Sequence, residues 1–484
     1  MKNNQDNLKY QVMRGMFWKL SERILAQGVS FLVSVVLARM LTPDEYGIVA
    51  IVLVLISLAN VFVTSGFSVA LVQNKNSKDI DFSTNFWCSI AVSVCIYFLL
   101  FIIAPLIELF YDIKGLTSVI RVFGLIIPLS AFSAIQHAYV ERNMLFKKYF
   151  FSTLFGTVVS GIIGIVMAMY GMGVWALVFQ YFTNTAVDII VLLFTVNWRP
   201  KFEFSILSAK HMMSYGWKIL VADFFGTFFE QLRSLIVGKV YSSSDLAFYN
   251  KGNQLPTLIT TNVSSSIMTV LFPAIANISD NYERVYQITR RAVQVVAYIM
   301  FPLLFGLAAV SDNLVLILFT EKWLPASIFV KILSIGYAIS MIGSVSIQSL
   351  KAVGRSDVVL RLEFIKKPIY VLLLILGVNI NVTAVAVTMA IYNLYGALVN
   401  SNQLRKVIGY KFKEQIQDLF PMLLLSTVIF VVVNMLSNIV ENHLFTMIIQ
   451  IAIGTGLYIT MSVLFKIEVF GYLKEMIVLR FKSK

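Results

Sequence analysis

Apolar residues occur along this chain in runs long enough to cross a bilayer as a helix, about 20 residues each, parted by short polar breaks. Fourteen such runs can be drawn, at roughly 16–40, 46–72, 84–110, 116–138, 149–170 and 174–196, then 212–238, 246–274, 292–319, 328–350, 360–378, 382–399, 419–439 and 444–465. The polar stretch NWRPKFEFSILSAK, 197–210, parts the first six from the rest. The pattern predicts an all-α integral membrane protein with about fourteen transmembrane helices. An even number places both termini on the same side.

The first run differs from a plain anchor. Between Gly15 and Gly47 it reads GMFWKLSERILAQGVSFLVSVVLARMLTPDEYG. At 100° per residue, Lys19, Arg23, Gln27, Ser30 and Ser34 fall in one narrow stripe, with Glu22 beside it. A charge at bilayer depth costs at least ~2.5 kcal/mol, so such residues normally face a bundle interior or a wet cavity. The chain repeats the device about two hundred residues later. Gly216-Trp217-Lys218 echoes Gly15 to Lys19, and LIVGKVYSSSDLAFYN echoes VVLARMLTPDEYGIVA, setting Lys239 on Arg39 and Asp245 on Glu45. Each half then has six spans, so the halves are parallel repeats about an axis along the membrane normal, an arrangement used by secondary transporters. The expected division is 1–196, 197–406, and a remainder of 407–484 holding the last two helices and a tail.

Composition agrees: 58% of the 484 residues are hydrophobic and 13% charged, against about 25% charged in soluble domains. A net charge of +14 would suggest nucleic acid in a soluble protein, but its placement follows membrane topology. With the N-terminus in the cytoplasm, about 28 Lys and Arg fall in cytoplasmic segments, while external loops hold Lys114, Lys239, Lys322 and Arg39. The bias alternates loop by loop, which fixes both termini as cytoplasmic. The N-terminus carries no removable signal peptide pattern. Cys88 and Cys95, two helical turns apart, are about 10 Å from each other and are read as reduced.

Catalytic and nucleotide motifs are missing: no Gly-rich Lys-Ser/Thr phosphate loop is present, and His137, His211 and His443 stand at helix ends without metal-ligand spacing. The informative residues are charges within spans. The seventh carries Lys218, Asp223, Glu230 and Arg233, with Asp223, Thr227, Glu230 and Arg233 on one face of the helical wheel, and the eighth Lys251 just before Pro256. Lys19, Lys218, Arg121 and Lys331 lie near span ends, where snorkelling or pairing explains them equally well. Glu22 with Arg23, and Glu230 with Arg233, can pair internally. Asp188 sits alone in YFTNTAVDIIVLLF; it is either a buried, hydrogen-bonded acid or an ion-coupling residue, as is Asp223. Lys19, Arg23, Lys218, Arg233 and Lys251 against Glu22, Asp223 and Glu230, with Gln27 and the rings of Trp18, Trp217, Phe228 and Tyr249, suit an anionic, sugar-bearing head group.

The opening GMFWKLSERI with LARMLTPDEYGIVA, the internal LIVGKVYSSSDLAFYNKGNQLP and the later GRSDVVLRLEFIKKP resemble the polysaccharide transporter (oligosaccharide flippase) family of the multidrug/oligosaccharidyl-lipid/polysaccharide exporter superfamily. The resemblance implies a two-lobe transporter of the bacterial cytoplasmic membrane that moves a polyprenyl-diphosphate-linked oligosaccharide between leaflets by alternating access. It implies a lipid-linked oligosaccharide and membrane lipids as partners, beside other glycan-assembly membrane proteins and no nucleic acid. No cofactor is expected, only coupling to H+ or Na+. The alternatives are a cation-coupled multidrug exporter of the same superfamily, which would favour an acidic cavity, and a membrane glycan polymerase or ligase, which would need a sizeable external loop.

Overall fold

The computed structural model describes residues 2–65, 78–437 and 441–482, and among these every regular element is helical. The helices are α1 (Lys2–Met40), α2 (Pro43–Thr64), α3 (Asp79–Tyr111), α4 (Leu116–Gly124), α5 (Ile126–Arg142), α6 (Phe146–Met169), α7 (Val174–Thr195) and α8 (Ile206–Val240). They continue as α9 (Ser243–Ala276), α10 (Tyr282–Ala309), α11 (Ser311–Phe319), a 3-10 turn at Glu321–Trp323, α12 (Ala326–Ala352), α13 (Ser356–Val378), α14 (Val382–Ile408), α15 (Phe412–Met435), α16 (His443–Leu464) and α17 (Glu468–Lys482). Among the described residues, 12 helical stretches are long and apolar enough to cross a membrane. The sequence expectation named two more. Both form helices, α8 and α13, but each is studded with charge: Lys218, Asp223, Glu230 and Arg233 in one, Arg361, Glu363, Lys366 and Lys367 in the other. Leu99, Ile102, Leu106 and Leu109 along α3 are exposed, the apolar belt expected of a surface that faces lipid. This is a multi-pass membrane protein.

The chain forms two compact units, Met1–Ala247 and Phe248–Lys484. In the first, α6 packs against α1 and α7 through small residues. A Cβ on Gly161 would overlap Val33 of α1, and those on Gly156 and Gly164 would come within 3.1 Å and 3.0 Å of Asn184 and Gln180 of α7. With no hydrophobic force between helices in lipid, such close backbone approach supplies the packing energy. In the second unit α12 meets α14 in the same way, Gly336 against Ala390 and Gly343 against Ala397.

The repeat seen in the sequence reappears as local geometry. Thr42 caps α2 in a capping box, its hydroxyl accepting from the Glu45 N–H while the Glu45 carboxylate accepts from the Thr42 N–H at 2.7 Å. Ser242 and Asp245 build the same reciprocal cap on α9, at 3.1 Å and 3.3 Å. The two corners touch. Ser244 Oγ donates to Asp44 Oδ1 at 2.7 Å, and Gly47 lies so close to the Ser243 carbonyl that any Cβ would overlap it.

Candidate functional site

The first unit gathers polar side chains from α1, α5, α6 and α7 at one level. α5 and α7 are neighbours, which brings His137 Nε2 to 2.7 Å from Asp188 Oδ2 although 51 residues separate them. Asp188 is 9% exposed. The His137 ring rests on Tyr149 with centroids 4.7 Å apart, and Glu22 lies within the fields of Lys19, His137 and Arg23. Tyr149 in turn senses Glu22, Glu141 and Asp188. Lys19 is tied at the edge of this group, 3.3 Å from Glu141 and over the rings of Phe146 and Tyr149. Asp188, solitary in sequence, is therefore half of a pair. Sequence reading set His137 aside as a helix-end histidine; only the packing of α5 on α7 reveals it.

The group is under-satisfied. Among the described residues, Asp188 Oδ1, His137 Nδ1 and both amide atoms of the fully buried Gln136 have no hydrogen-bond partner. Buried polar atoms are paired nine times in ten, so four open valences in adjoining residues ask for a role.

A second polar place lies between α2 and α8. It is a cleft of about 600 Å3 lined by Ser57, Asn60, Thr64, Asp223, Thr227 and Glu230 among others. The stripe drawn on the helical wheel thus brings Asp223, Thr227 and Glu230 to one surface, and that lining is acidic. Arg233, one turn further, is half-buried, and Lys218 is exposed. Arg23 and Gln27 are half-buried on α1.

Lys251 belongs to the second unit. It is 6% exposed, its ammonium 5.1 Å from the centre of the Phe319 ring and 5.7 Å from that of Trp323, and it donates to Gln254 at 3.4 Å. Of the aromatic residues, Tyr249 is core, packed on Phe329, and Trp18 stacks on Phe150. Arg121 and Lys331 are held locally, by the Phe101 carbonyl and ring and by Asp312 at 2.6 Å. Among the described residues no three His, Cys, Asp or Glu side chains could share a metal ion.

Sequence reasoning also missed a knot in the second unit. Arg290 of α10 donates Nε and Nη2 to the two oxygens of Asp418 at 2.7 Å and 2.8 Å. Gln294 and the Tyr410 hydroxyl donate to the same carboxylate at 2.9 Å and 2.6 Å. Burial and the Asp418 bond push the Tyr410 phenol above its ordinary range, so it stays a donor.

Charges within bilayer-length helices and a capped corner that recurs two hundred residues on define a class: multi-pass helical proteins with the fold of the multidrug/oligosaccharidyl-lipid/polysaccharide exporter superfamily. The fold matches the lipid II flippase MurJ in its inward closed conformation with a TM-score of 0.74 over 94% of this chain and 100% of that one, at 17% identity. It matches an inward-facing multidrug MATE transporter with a TM-score of 0.58 over 79% of this chain and 94% of that one, at 14% identity. Within the class, the chain belongs to the polysaccharide biosynthesis protein family, whose model matches residues 36–328. Relatives include the succinoglycan biosynthesis transport protein ExoT of Rhizobium meliloti, 24% identical over 72% of this chain and 70% of that protein. The lipopolysaccharide biosynthesis protein WzxC of Escherichia coli is 22% identical over 86% of this chain and 85% of its own length.

Proposed function

We propose that this chain flips a polyprenyl-diphosphate-linked oligosaccharide across a bacterial cytoplasmic membrane by alternating access, driven by H+ or Na+. The observation that carries this reading is the conjunction of a polysaccharide biosynthesis family with a fold matched from end to end by a lipid II flippase. Relatives named for succinoglycan transport and lipopolysaccharide biosynthesis support a glycan cargo. In this proposal Arg23 and Arg233, with Lys19, Lys218, Gln27 and Lys251, serve the anionic head group. Glu22 and Glu230 hold the arginines between cycles. The His137–Asp188 pair and Asp223 take the driving ion.

The proposal includes fourteen spans, α8 and α13 among them, with both ends inside. Cysteines at Asp245 and Asn379 are then labelled by an impermeant thiol reagent outside intact cells and one at Asn281 is not; labelling of Asn281 refutes the topology. Asn76, a further inside position, lies outside the described residues. The functional test is flipping of a fluorescent polyprenyl-diphosphate sugar in proteoliposomes. Gradient-dependent movement of the lipid supports the proposal. Failure to flip, with export of a lipophilic cation instead, would favour the multidrug alternative, which the acidic cleft between α2 and α8 would then serve.

A further inference from the structure

The second unit contains an open cavity of about 320 Å3 lined by residues of α9, α12, α13 and α14, at the low end of small-molecule sites, which run from about 300 Å3. We propose that it binds a sugar bearing one anionic group. The inference rests on the flippase reading only for the source of that sugar.

The lining sets the ligand. Lys351 and Lys366 are its ionisable cations, and no carboxylate lines it. Lys366 is already neutralised by Glu363 at 2.6 Å from outside the lining, which leaves the charge of Lys351 for a ligand. Gln348 and Asn393 bring amides that both donate and accept, and the serines on α12 favour hydroxyl donors. Ser340 Oγ spends its proton on the Tyr337 carbonyl at 2.9 Å and Ser344 Oγ on the Ser340 carbonyl at 3.3 Å, so both present lone pairs to the cavity. Asn400 is 6% exposed; its Nδ2 is engaged by the Gly343 carbonyl at 3.3 Å, while its Oδ1 is buried with no partner. Inorganic phosphate, with only one or two P–OH donors at neutral pH, would meet Lys351 but match fewer of these acceptors than a ring of hydroxyls does. A hydroxyl-rich ring with one acidic substituent matches both. Tyr392, its ring set edge-on by Tyr370 at 5.2 Å, offers an apolar surface for a sugar face.

Glycine keeps the space open. A Cβ on Gly396 would meet only Lys366 Cδ, at 3.8 Å, so alanine fits there and a longer side chain projects into the cavity. The full chain, purified in detergent, is titrated by ligand-observed NMR with glucuronic acid, glucose 1-phosphate, glucose and inorganic phosphate. One or both acidic sugars are expected to bind at least about tenfold more tightly than glucose or phosphate, and the stronger of the two tells a uronate from a sugar phosphate. Lys351→Gln should bring them to the level of glucose. Gly396→Leu should abolish binding and Gly396→Ala should preserve it, with the melting temperature of each variant measured alongside. Equal binding of inorganic phosphate, equal binding of glucose, or acidic-sugar binding untouched in both Lys351→Gln and Gly396→Leu would overturn the assignment. The readout needs no transport: binding without flipping would leave the site standing and sink the flippase reading, and flipping without binding the reverse.

Discussion

Removing the carboxylate of Asp188 while keeping its shape tests the polar group of the first unit most directly. In Asp188→Asn the 2.7 Å contact to His137 changes from a charge-assisted hydrogen bond to a neutral one or is lost. At 9% exposure water replaces little of it. Hydrogen bonds to charged groups contribute about 1.5–3 kcal/mol. If that energy is exchanged with the driving ion in each cycle, the variant slows gradient-driven flipping by roughly ten- to a hundredfold. The neighbours that set the local field are Lys19, Glu22 and Arg23 on α1, Glu141 on α5 and Tyr149 on α6, and all stay in place. The assay is initial flipping rate in proteoliposomes under an imposed pH or Na+ gradient. Proton coupling predicts a rate that follows the imposed pH gradient and loses that dependence in His137→Gln. Sodium coupling predicts loss of Na+ dependence in Asp188→Asn with little effect from His137→Gln. Wild-type rate with unchanged pH and Na+ dependence in Asp188→Asn would show that the pair only holds α5 to α7.

Arg23→Ala and Arg233→Ala should each slow flipping about ten- to a hundredfold, and Arg23→Lys should rescue partly by keeping charge without the bidentate fork; full activity of both alanine variants at matched protein levels would place the diphosphate elsewhere. Asp418→Ala should cost about 3 kcal/mol, the lower part of the range for a broken buried pair because Arg290 is 40% exposed, read as a fall in melting temperature in detergent. Thr42→Ala should cost ~1 kcal/mol through loss of the cap. Gly47→Val, which drives a side chain into the Ser243 carbonyl, should lower the melting temperature at least as much; an unchanged melting temperature would mean that the corner contact bears no load.

Much of this was legible in the chain because bilayer-length periodicity and capping chemistry are local. The runs became helices, and TPDE and SSSD, two hundred residues apart, became matching corners. The stripe Asp223, Thr227 and Glu230 became one surface because a single helix carries it. What stayed hidden depends on which helix lies beside which. His137 with Asp188, and Arg290 with Asp418, are separated by 51 and 128 residues, and no periodicity within one element links them. The same limit applies to Lys251, whose neighbours Phe319 and Trp323 are brought to it by α11 and the turn that follows. The sugar cavity escaped for a related reason: its lining is serine, asparagine and glycine, the residues that also make ordinary helix contacts in a membrane.

The two buried acids show how the fold separates holding from moving. Asp418 accepts four hydrogen bonds from three side chains, with both oxygens engaged. It has nothing left to offer, and any change in its charge would strand a guanidinium. Such a carboxylate fixes α15 to α10 and resists rearrangement. Asp188 is buried to a similar degree but, among the described residues, its one side-chain partner is a histidine and its other oxygen has none. Leaving that oxygen open costs stability that a merely structural acid would have recovered with a serine or an asparagine nearby. If the proposed ion coupling holds, the incompletely satisfied acid is the place that changes its protonation or ion occupancy and the saturated one is not. The contrast sets a joint expectation for the variants above: Asp418→Ala loses melting temperature, and transport falls only in step with folded protein; Asp188→Asn slows gradient-driven transport well beyond any fall in folded protein. The reverse pattern would mean that hydrogen-bond saturation is no guide to which buried acid in this fold does the work.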